Sequence, residues 1–461
     1  MRRYELDATV RRSDDGRLLS GGTPARLVRL TESGSAVLDA ALAGDQLAGG
    51  APRRLLQRLD DQGLVHPRGA PVAGGRPAVT AVVPVRGASP GLPELVDALL
   101  ARGDVIVVDD GMTVDAVRSA RAAGATVLPN AGPPGPSAAR NTGIEAADTE
   151  LVALVDADVV VQPGWHDRLL ALLDDPSVAL AAPVVASMPG RSAVARYEEV
   201  YSPLELGARP AVAGPGRRLG YVPSAALLAR RSALLSVGGF DPATLIGEDI
   251  DLVWRLVARG WKVRYAPEAR VLHRPRASLG ALVRQRFTYG RSAVVLESRH
   301  PGAASPLRVG APTAGIWIAA HVAGPLGALV ALIASIAAAV AGRTDPASRR
   351  ALARLVVLDH VRATRHLARV VTRDWLPLTL VPFALSRRWR RWGAAAFALD
   401  FVASRNHAGR LRDVPSQLAL RVIDHLAYAA GLWRGMAGAR SIGAALVRVS
   451  AAQRRAPARA P

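Results

Sequence analysis

The chain contains no cysteine. That excludes a disulfide framework, a thiolate zinc site and a cysteine nucleophile. Lysine is almost missing too: Lys262 is the only one, so the formal net charge of +21 is carried by arginine. Such a surplus invites a nucleic-acid reading. Arginine combined with abundant Ala and Gly reads instead as the coding bias of a GC-rich genome. The surplus also gathers toward the C-terminal end, at Arg387, Arg388, Arg390 and Arg391, beside apolar segments. That placement suits an anionic membrane surface, and no nucleic-acid partner is expected. The opening Met1–Val10 lacks an apolar h-region, so no secretory signal is expected and the chemistry is expected on the cytoplasmic side. From Val309 to Gly342 charge is missing altogether. Ile316–Val340 is long enough to cross a bilayer, which takes about 20 apolar residues, but Pro325 and His321 interrupt it. Peripheral attachment to the inner membrane surface is preferred to a true span.

The 461 residues suggest two or three domains of roughly 100–200 residues each. Residues 1–68 read strand, strand, helix, helix, strand, a winged-helix-like α+β pattern. Thr31 is placed as the N-cap of its first helix. A Gly/Pro-rich linker follows at 69–78. From Val79 buried β-branched runs alternate with helices: strands at Val79–Val85, Val105–Val108, Thr126–Leu128 and Leu151–Val155, helices at Leu92–Leu100, Val114–Ala123 and Ala138–Ala147. This alternation implies a parallel, doubly wound α/β sheet over 79–300. Ligands bind such sheets at the carboxyl ends of the strands. Residues 301–450 form an apolar helical region, and 451–461 a disordered tail.

Three acidic motifs fall at strand or turn ends. VIVVDDG (105–111) delivers Asp109 and Asp110, and a carboxylate there can accept hydrogen bonds from a uracil ring or a ribose hydroxyl. An ordinary Asp-Gly turn is the bland alternative. LVALVDADV (151–159) presents Asp156 and Asp158 with small Ala157 between them, so both can approach one hard cation. Oxygen ligands select Mg²⁺ or Mn²⁺. A cation there would neutralise a diphosphate as a Lewis acid. In GGFDPATLIGEDIDLVWRL (238–256) Glu248 and Asp249 open a helix. The helix N-terminus favours an ionised carboxylate, and an ionised Asp249 could take the proton of an acceptor hydroxyl. Asp251 is assigned the structural role, an i,i+4 pair with Arg255.

In order, VVPVRG (82–87), VVDDG (107–111), SAARNTGIEAA (137–147), VDADV (155–159), GGFD (238–241) and GEDIDLVWRL (247–256) closely resemble the family 2 glycosyltransferases of GT-A fold. The resemblance implies a metal-dependent, inverting hexosyltransferase using a UDP-sugar donor. It places the nucleotide-sugar on Pro84, Arg86, Asp109, Asp110, Arg140, Asn141 and Asp156. It puts Mn²⁺ or Mg²⁺ on Asp158, with His273 as a metal or phosphate contact or an ordinary structural histidine. It makes Asp249 the base, with Glu248 beside it. Processive relatives carry Gln-x-x-Arg-Trp, whereas RQRFTYG (284–290) has no Trp, which argues against a cellulose-like synthase. Gln285 and Arg286 can still reach a diphosphate or acceptor, or line a solvated helix face.

TPARLVRLTESGSAVLDAALAG (23–44) with LLQRLDDQGLV (55–65) resembles the PqqD-like, peptide-recognising domains. Their fusion to such a catalytic domain resembles the glycosyltransferases of mycofactocin systems. That implies glucose transfer from UDP-glucose to a peptide-derived redox cofactor, growing a β-linked oligosaccharide. Three other readings stay open: a membrane-bound polysaccharide or lipid-linked glycosyltransferase of the same fold, a non-catalytic peptide-binding module, and a DNA-binding regulator through the winged-helix-like N-terminus, although residues 1–68 have mixed charge and no obvious basic recognition helix.

Overall fold

The computed structural model describes residues 3–450 except 23, 46, 48, 69–76, 245 and 406–409. The stretch expected as a linker thus falls mostly outside the described residues, and the expected tail wholly outside.

The N-terminal unit comprises strands β1 (Arg3–Leu6), β2 (Arg11–Arg12), β3 (Leu18–Gly21) and β4 (Arg26–Arg29), helices α1 (Glu32–Ala43) and α2 (Gly50–Asp61), and strand β5 (Val65–Arg68). β2, β3 and β4 form one antiparallel sheet, and β1 pairs with β5 in a separate ribbon. No single strand runs from Tyr4 to Arg11, because Asp7 folds back on Thr9, accepting from its backbone N–H at 2.8 Å. Thr31 caps α1, its hydroxyl accepting from the N–H of Gly34 at 3.0 Å. Leu19, Leu38, Leu59 and Leu64 fill the small core.

The second unit is built on a nine-stranded sheet. Its strands are β6 (Val79–Gly87), β7 (Val105–Met112), β8 (Thr126–Pro129), β9 (Leu151–Val155), β10 (Val159–Val161), β11 (Val178–Ser187), β12 (Ala211–Ala213), β13 (Ala226–Arg230) and β14 (Lys262–His273). The order is β10-β14-β11-β13-β9-β6-β7-β8, with β12 also on β14. Helices α3 (Leu92–Leu100), α4 (Val114–Ala122) and α5 (Pro136–Ala146) supply the crossovers for the parallel half, β8-β7-β6-β9. Beyond β9 the uniform parallel reading fails. β13 pairs antiparallel with both β9 and β11, because the chain reaches it from a loop rather than a crossover helix. The outcome is a parallel half joined to a mixed half, in keeping with the expected GT-A fold. Helices α6 (Trp165–Leu173), α7 (Ala193–Tyr201), α8 (Arg231–Ser236) and α9 (Glu248–Ala258) complete the layers.

The two units are joined by charge. Arg264 of β14 forms a buried two-pronged ion pair with Asp60 of α2, and Lys262 reaches Asp61 at 2.5 Å. Removing one partner of a buried pair leaves the other charge uncompensated. Asp60→Ala is therefore expected to destabilise the protein by about 3–5 kcal/mol, seen as a lower thermal midpoint and faster proteolysis between the units.

Next come α10 (Leu279–Arg299), β15 (Leu307–Gly310), α11 (Ala311–Val340), α12 (Pro346–Arg369), a π-helical turn at Val370–Asp374, α13 (Leu376–Leu385), α14 (Arg387–Ala403), α15 (Val414–Ala439) and β16 (Val447–Ser450), which pairs with β15. α10 and α15 touch backbone to backbone where Gly290 meets Gly431. A Cβ on either would collide with the other helix's carbonyl oxygens at Tyr428 or Phe287. The C-terminal region is thereby packed onto α10. α11 is the one described helix long and apolar enough to cross a membrane by length and composition.

Candidate active site

The three acidic motifs sit where the sheet topology exposes them. At the end of β7, Asp109 turns inward on its own loop, accepting from the N–H groups of Gly111 (2.9 Å) and Met112 (2.7 Å). Asp110 accepts from the Asn130 side chain (2.7 Å) and the Gly135 N–H at the start of α5 (3.0 Å). Arg86, at the end of the adjacent β6 beyond Pro84, lies 4.0 Å from Asp110 and is 70% exposed. It is thus available to a ligand at this edge.

Arg140 projects from α5 and joins two motifs that are remote in sequence. It donates to Asp156 at 2.7 Å and to Glu248 at 3.2 Å. It lies over the Phe240 ring and is almost wholly buried. Burial opposes its charge, but Asp156, Glu248 and Asp249 more than compensate and raise its pKa. The neighbouring Asn141 pins the GGFD turn with both ends of its amide: Nδ2 donates to the Phe240 carbonyl (2.7 Å) and Oδ1 accepts from the Phe240 N–H (2.8 Å). Gly239 is left-handed (φ 66°), and a Cβ there would run into Asn141 Oδ1. The turn therefore fixes where α9, and with it Glu248 and Asp249, begins.

Asp158 follows β9 and lies 3.2 Å from His273 at the end of β14. Among the described residues no group of three or more His, Asp or Glu side chains forms a ready cage for a cation. The pair offers one carboxylate and one imidazole, with Asp158 44% exposed. Divalent ions of this class are commonly held by one or two side chains together with substrate phosphates and water. The donor set fits such an ion.

Asp249 begins α9 with one oxygen on the N–H of Ile250 (2.8 Å). The helix N-terminus does not keep its pKa low, contrary to the sequence expectation. Burial first, then the charge of Glu248, push the carboxyl up to about 7. It faces a cavity of about 1400 Å³ between the catalytic sheet and the C-terminal helices. Tyr221, Trp254 and Tyr289 line the sheet side, and Arg362, Arg365, Arg369 and Tyr428 the helical side. Burial raises the phenols of Tyr221 and Tyr289, and the charge of Asp249 adds to it. Arg369 is pushed down to about 10, by the charge of Arg373 first and then by burial. The helical wall was not read from the sequence. The available signal was three arginines at 362, 365 and 369 along one face of α12.

Asp251 is paired with Arg255 at 2.7 Å and with His300 at 2.8 Å, the structural role expected of it. Arg286 lines the same cavity as Asp249. Arg286 is buried, ion-paired with Glu198 of α7 and with Asp424 of α15 (2.9 Å), and it donates to Gln285 (2.6 Å). The solvated-face reading is therefore wrong for Arg286, which fastens the C-terminal helices to the catalytic unit.

The family profile "Glycosyltransferase like family 2" matches residues 77–291. Over 463 aligned residues, 95% of this chain and 96% of the relative, the chain is 39% identical to the pre-mycofactocin glycosyltransferase of Mycobacterium tuberculosis. The chain belongs to the family 2 glycosyltransferases. Another relative, an uncharacterized glycosyltransferase of Mycobacterium bovis, is 33% identical over 191 residues, 40% of this chain and 82% of that one. Solved structures with a similar shape include a mannosyltransferase from Pyrobaculum calidifontis in complex with GDP-Man and Mn²⁺ (20% identity, 73% of this chain and 88% of that one, TM-score 0.39). A second is the glucosyl-3-phosphoglycerate synthase of Mycobacterium tuberculosis with Mn²⁺ and UDP-glucose (21% identity, 48% and 79% covered, TM-score 0.34). Family membership makes the chain a glycosyl-transferring enzyme and gives the Asp-rich strand ends their context.

Proposed function

We propose that this glycosyltransferase moves a hexose, glucose from UDP-glucose, onto a peptide-derived redox cofactor of the premycofactocin kind with inversion at the anomeric carbon. The observation that carries the reading is Arg140, which holds Asp156 to Glu248, the chain neighbour of the cavity-lining Asp249. The relative covering nearly the whole chain is named for that acceptor. The N-terminal unit, which resembles peptide-recognising domains, is proposed to bind the peptide-derived part.

In this scheme Asp110 and Arg86 receive the nucleoside. A Mn²⁺ or Mg²⁺ ion held by Asp158 and His273 would, when bound, neutralise the departing diphosphate. Asp249 accepts the proton of the acceptor hydroxyl, whose oxygen attacks the anomeric carbon opposite the UDP. An α-linked donor then gives a β-linked product. Arg140 and Glu248 position the base, and Asn141 positions the turn that carries it.

A carboxyl that titrates near 7 is charged, and competent as a base, only above that pH. kcat is therefore expected to rise through about pH 7 to a plateau, and that limb should vanish in Asp249→Asn. Incubating the protein with Mn²⁺ and a panel of UDP- and GDP-sugars, with and without acceptor, tests the donor assignment. Acceptor-dependent UDP release from UDP-glucose supports it, and preferential GDP release from a GDP-sugar refutes it. The enzyme is proposed to work on the cytoplasmic face of the membrane, where its uncharged α11 and arginine-rich α14 would be used.

A further inference from the structure

α11 is not one straight rod. Gly324 sits at φ 64°, ψ −157°, outside helical space, and Pro325 follows it. Thr313 meets His360 Nδ1 at 2.6 Å, and Ser335, 22 positions later, meets Nε2 of the same ring at 3.5 Å. In a continuous helix residues that far apart are separated by about 33 Å. Gly327 also lies so close to Ala319 that a Cβ on it would strike the Ala319 carbonyl. The helix therefore turns back on itself at Gly324, leaving two arms that each fall short of the roughly 20 residues a bilayer crossing needs.

Pro325 has no N–H to give the carbonyl of His321, its helical partner one turn earlier. Arg388 takes that place, donating to the His321 carbonyl at 2.7 Å. The bend is thus tied to the start of α14, where Arg387, Arg388, Arg390 and Arg391 flank exposed Trp389 and Trp392. A guanidinium fixed at the bend keeps the bend out of the hydrocarbon centre. Ile318, Val322, Leu326, Leu329 and Ile333 of α11 are exposed, as are Leu378, Val381 and Leu385 of α13.

We infer that the folded α11 and α13 form one face that enters a single leaflet of an anionic bilayer without crossing it, with the Arg387–Trp392 run at headgroup level. Tryptophan and arginine at the rim of an apolar patch match the interfacial zone of a membrane. A second copy docking on this face would bring two arginine runs together. The inference deepens the membrane-face reading above and makes the attachment monotopic.

The cysteine-free chain permits a direct test with the full-length protein. Ala311→Cys and Thr344→Cys flank the hairpin, and Leu326→Cys lies beside its bend. The protein is expected to float with phosphatidylcholine vesicles containing phosphatidylglycerol and to bind pure phosphatidylcholine vesicles more weakly. Arg387→Glu combined with Arg391→Glu, which spares Arg388, should weaken binding to the anionic vesicles at least about tenfold while leaving UDP release in detergent unchanged. A fluorophore on the thiol of Leu326→Cys should be quenched by shallow rather than mid-bilayer quenchers. The thiols of Ala311→Cys and Thr344→Cys should both react with an impermeant maleimide added outside the vesicles. Protection of one of the two would show a crossing helix and overturn the inference. Lipid-independent self-association with no vesicle binding would overturn it as well. Either result leaves UDP release intact, whereas absent UDP release with normal vesicle binding would strike the catalytic reading alone.

Discussion

Asp249→Asn is expected to lower kcat by about 10²–10⁴-fold, the contribution typical of a positioned acid–base group, and to leave UDP affinity within roughly twofold. The amide keeps the shape and the contact with the Ile250 N–H region but cannot take a proton. Asp249 faces the cavity, whereas the nucleotide is proposed to sit at Asp110 and Arg86, so donor binding should survive. Glu248→Gln provides the contrast. Glu248 is tied to Arg140 at 3.2 Å and its charge helps raise the Asp249 carboxyl, so its loss should disturb positioning and move the pH limb to lower pH, whereas Asp249→Asn removes the limb. Steady-state kinetics from about pH 5.5 to 9, with UDP titrated calorimetrically, separates the two roles. Near-normal turnover in Asp249→Asn would remove it as the base.

The second large effect concerns the divalent ion. Chelation by EDTA, or Asp158→Ala, is expected to reduce transfer by about 10²–10³-fold, because the leaving diphosphate would depart without several kcal/mol of charge stabilisation. UDP affinity should weaken in parallel. Mn²⁺ should restore the chelated wild type but not Asp158→Ala. His273→Ala should give a milder defect, since it supplies the second donor of the pair 3.2 Å from Asp158. Undiminished activity in excess chelator would rule out the metal requirement.

What the sequence made legible is what short-range pattern controls. Buried β-branched runs set β6, β7 and β9, and the acids that follow them fall at open strand ends because the carboxyl end of a parallel strand is where the chain leaves the core. Thr31 as a cap and Asp251 with Arg255 as an i,i+4 pair are likewise local. The relations across the chain were hidden. Arg140 meets Glu248 across 108 positions, and no periodicity reports that. Arg286 lines the cavity, but its partner Asp424, 138 positions away on α15, leaves no local mark in the sequence. Burial and the adjacent Glu248 reverse the expected helix-terminus effect at Asp249, since a macrodipole effect of about 0.3–1 kcal/mol is readily outweighed by desolvation. The antiparallel β13 was missed because a five-residue apolar run carries no sign of its direction. The C-terminal helices, read as apolar membrane pieces, also supply one wall of the cavity.

The most direct test is a structure of Asp249→Asn bound to UDP-glucose and Mn²⁺. The diphosphate is expected against Asp158 and His273, the uridine beside Asp110 and Arg86, and the anomeric carbon turned toward residue 249 with open cavity behind it. A nucleotide seated elsewhere, or a sugar whose anomeric carbon faces away from residue 249, would contradict a shared site for these carboxylates.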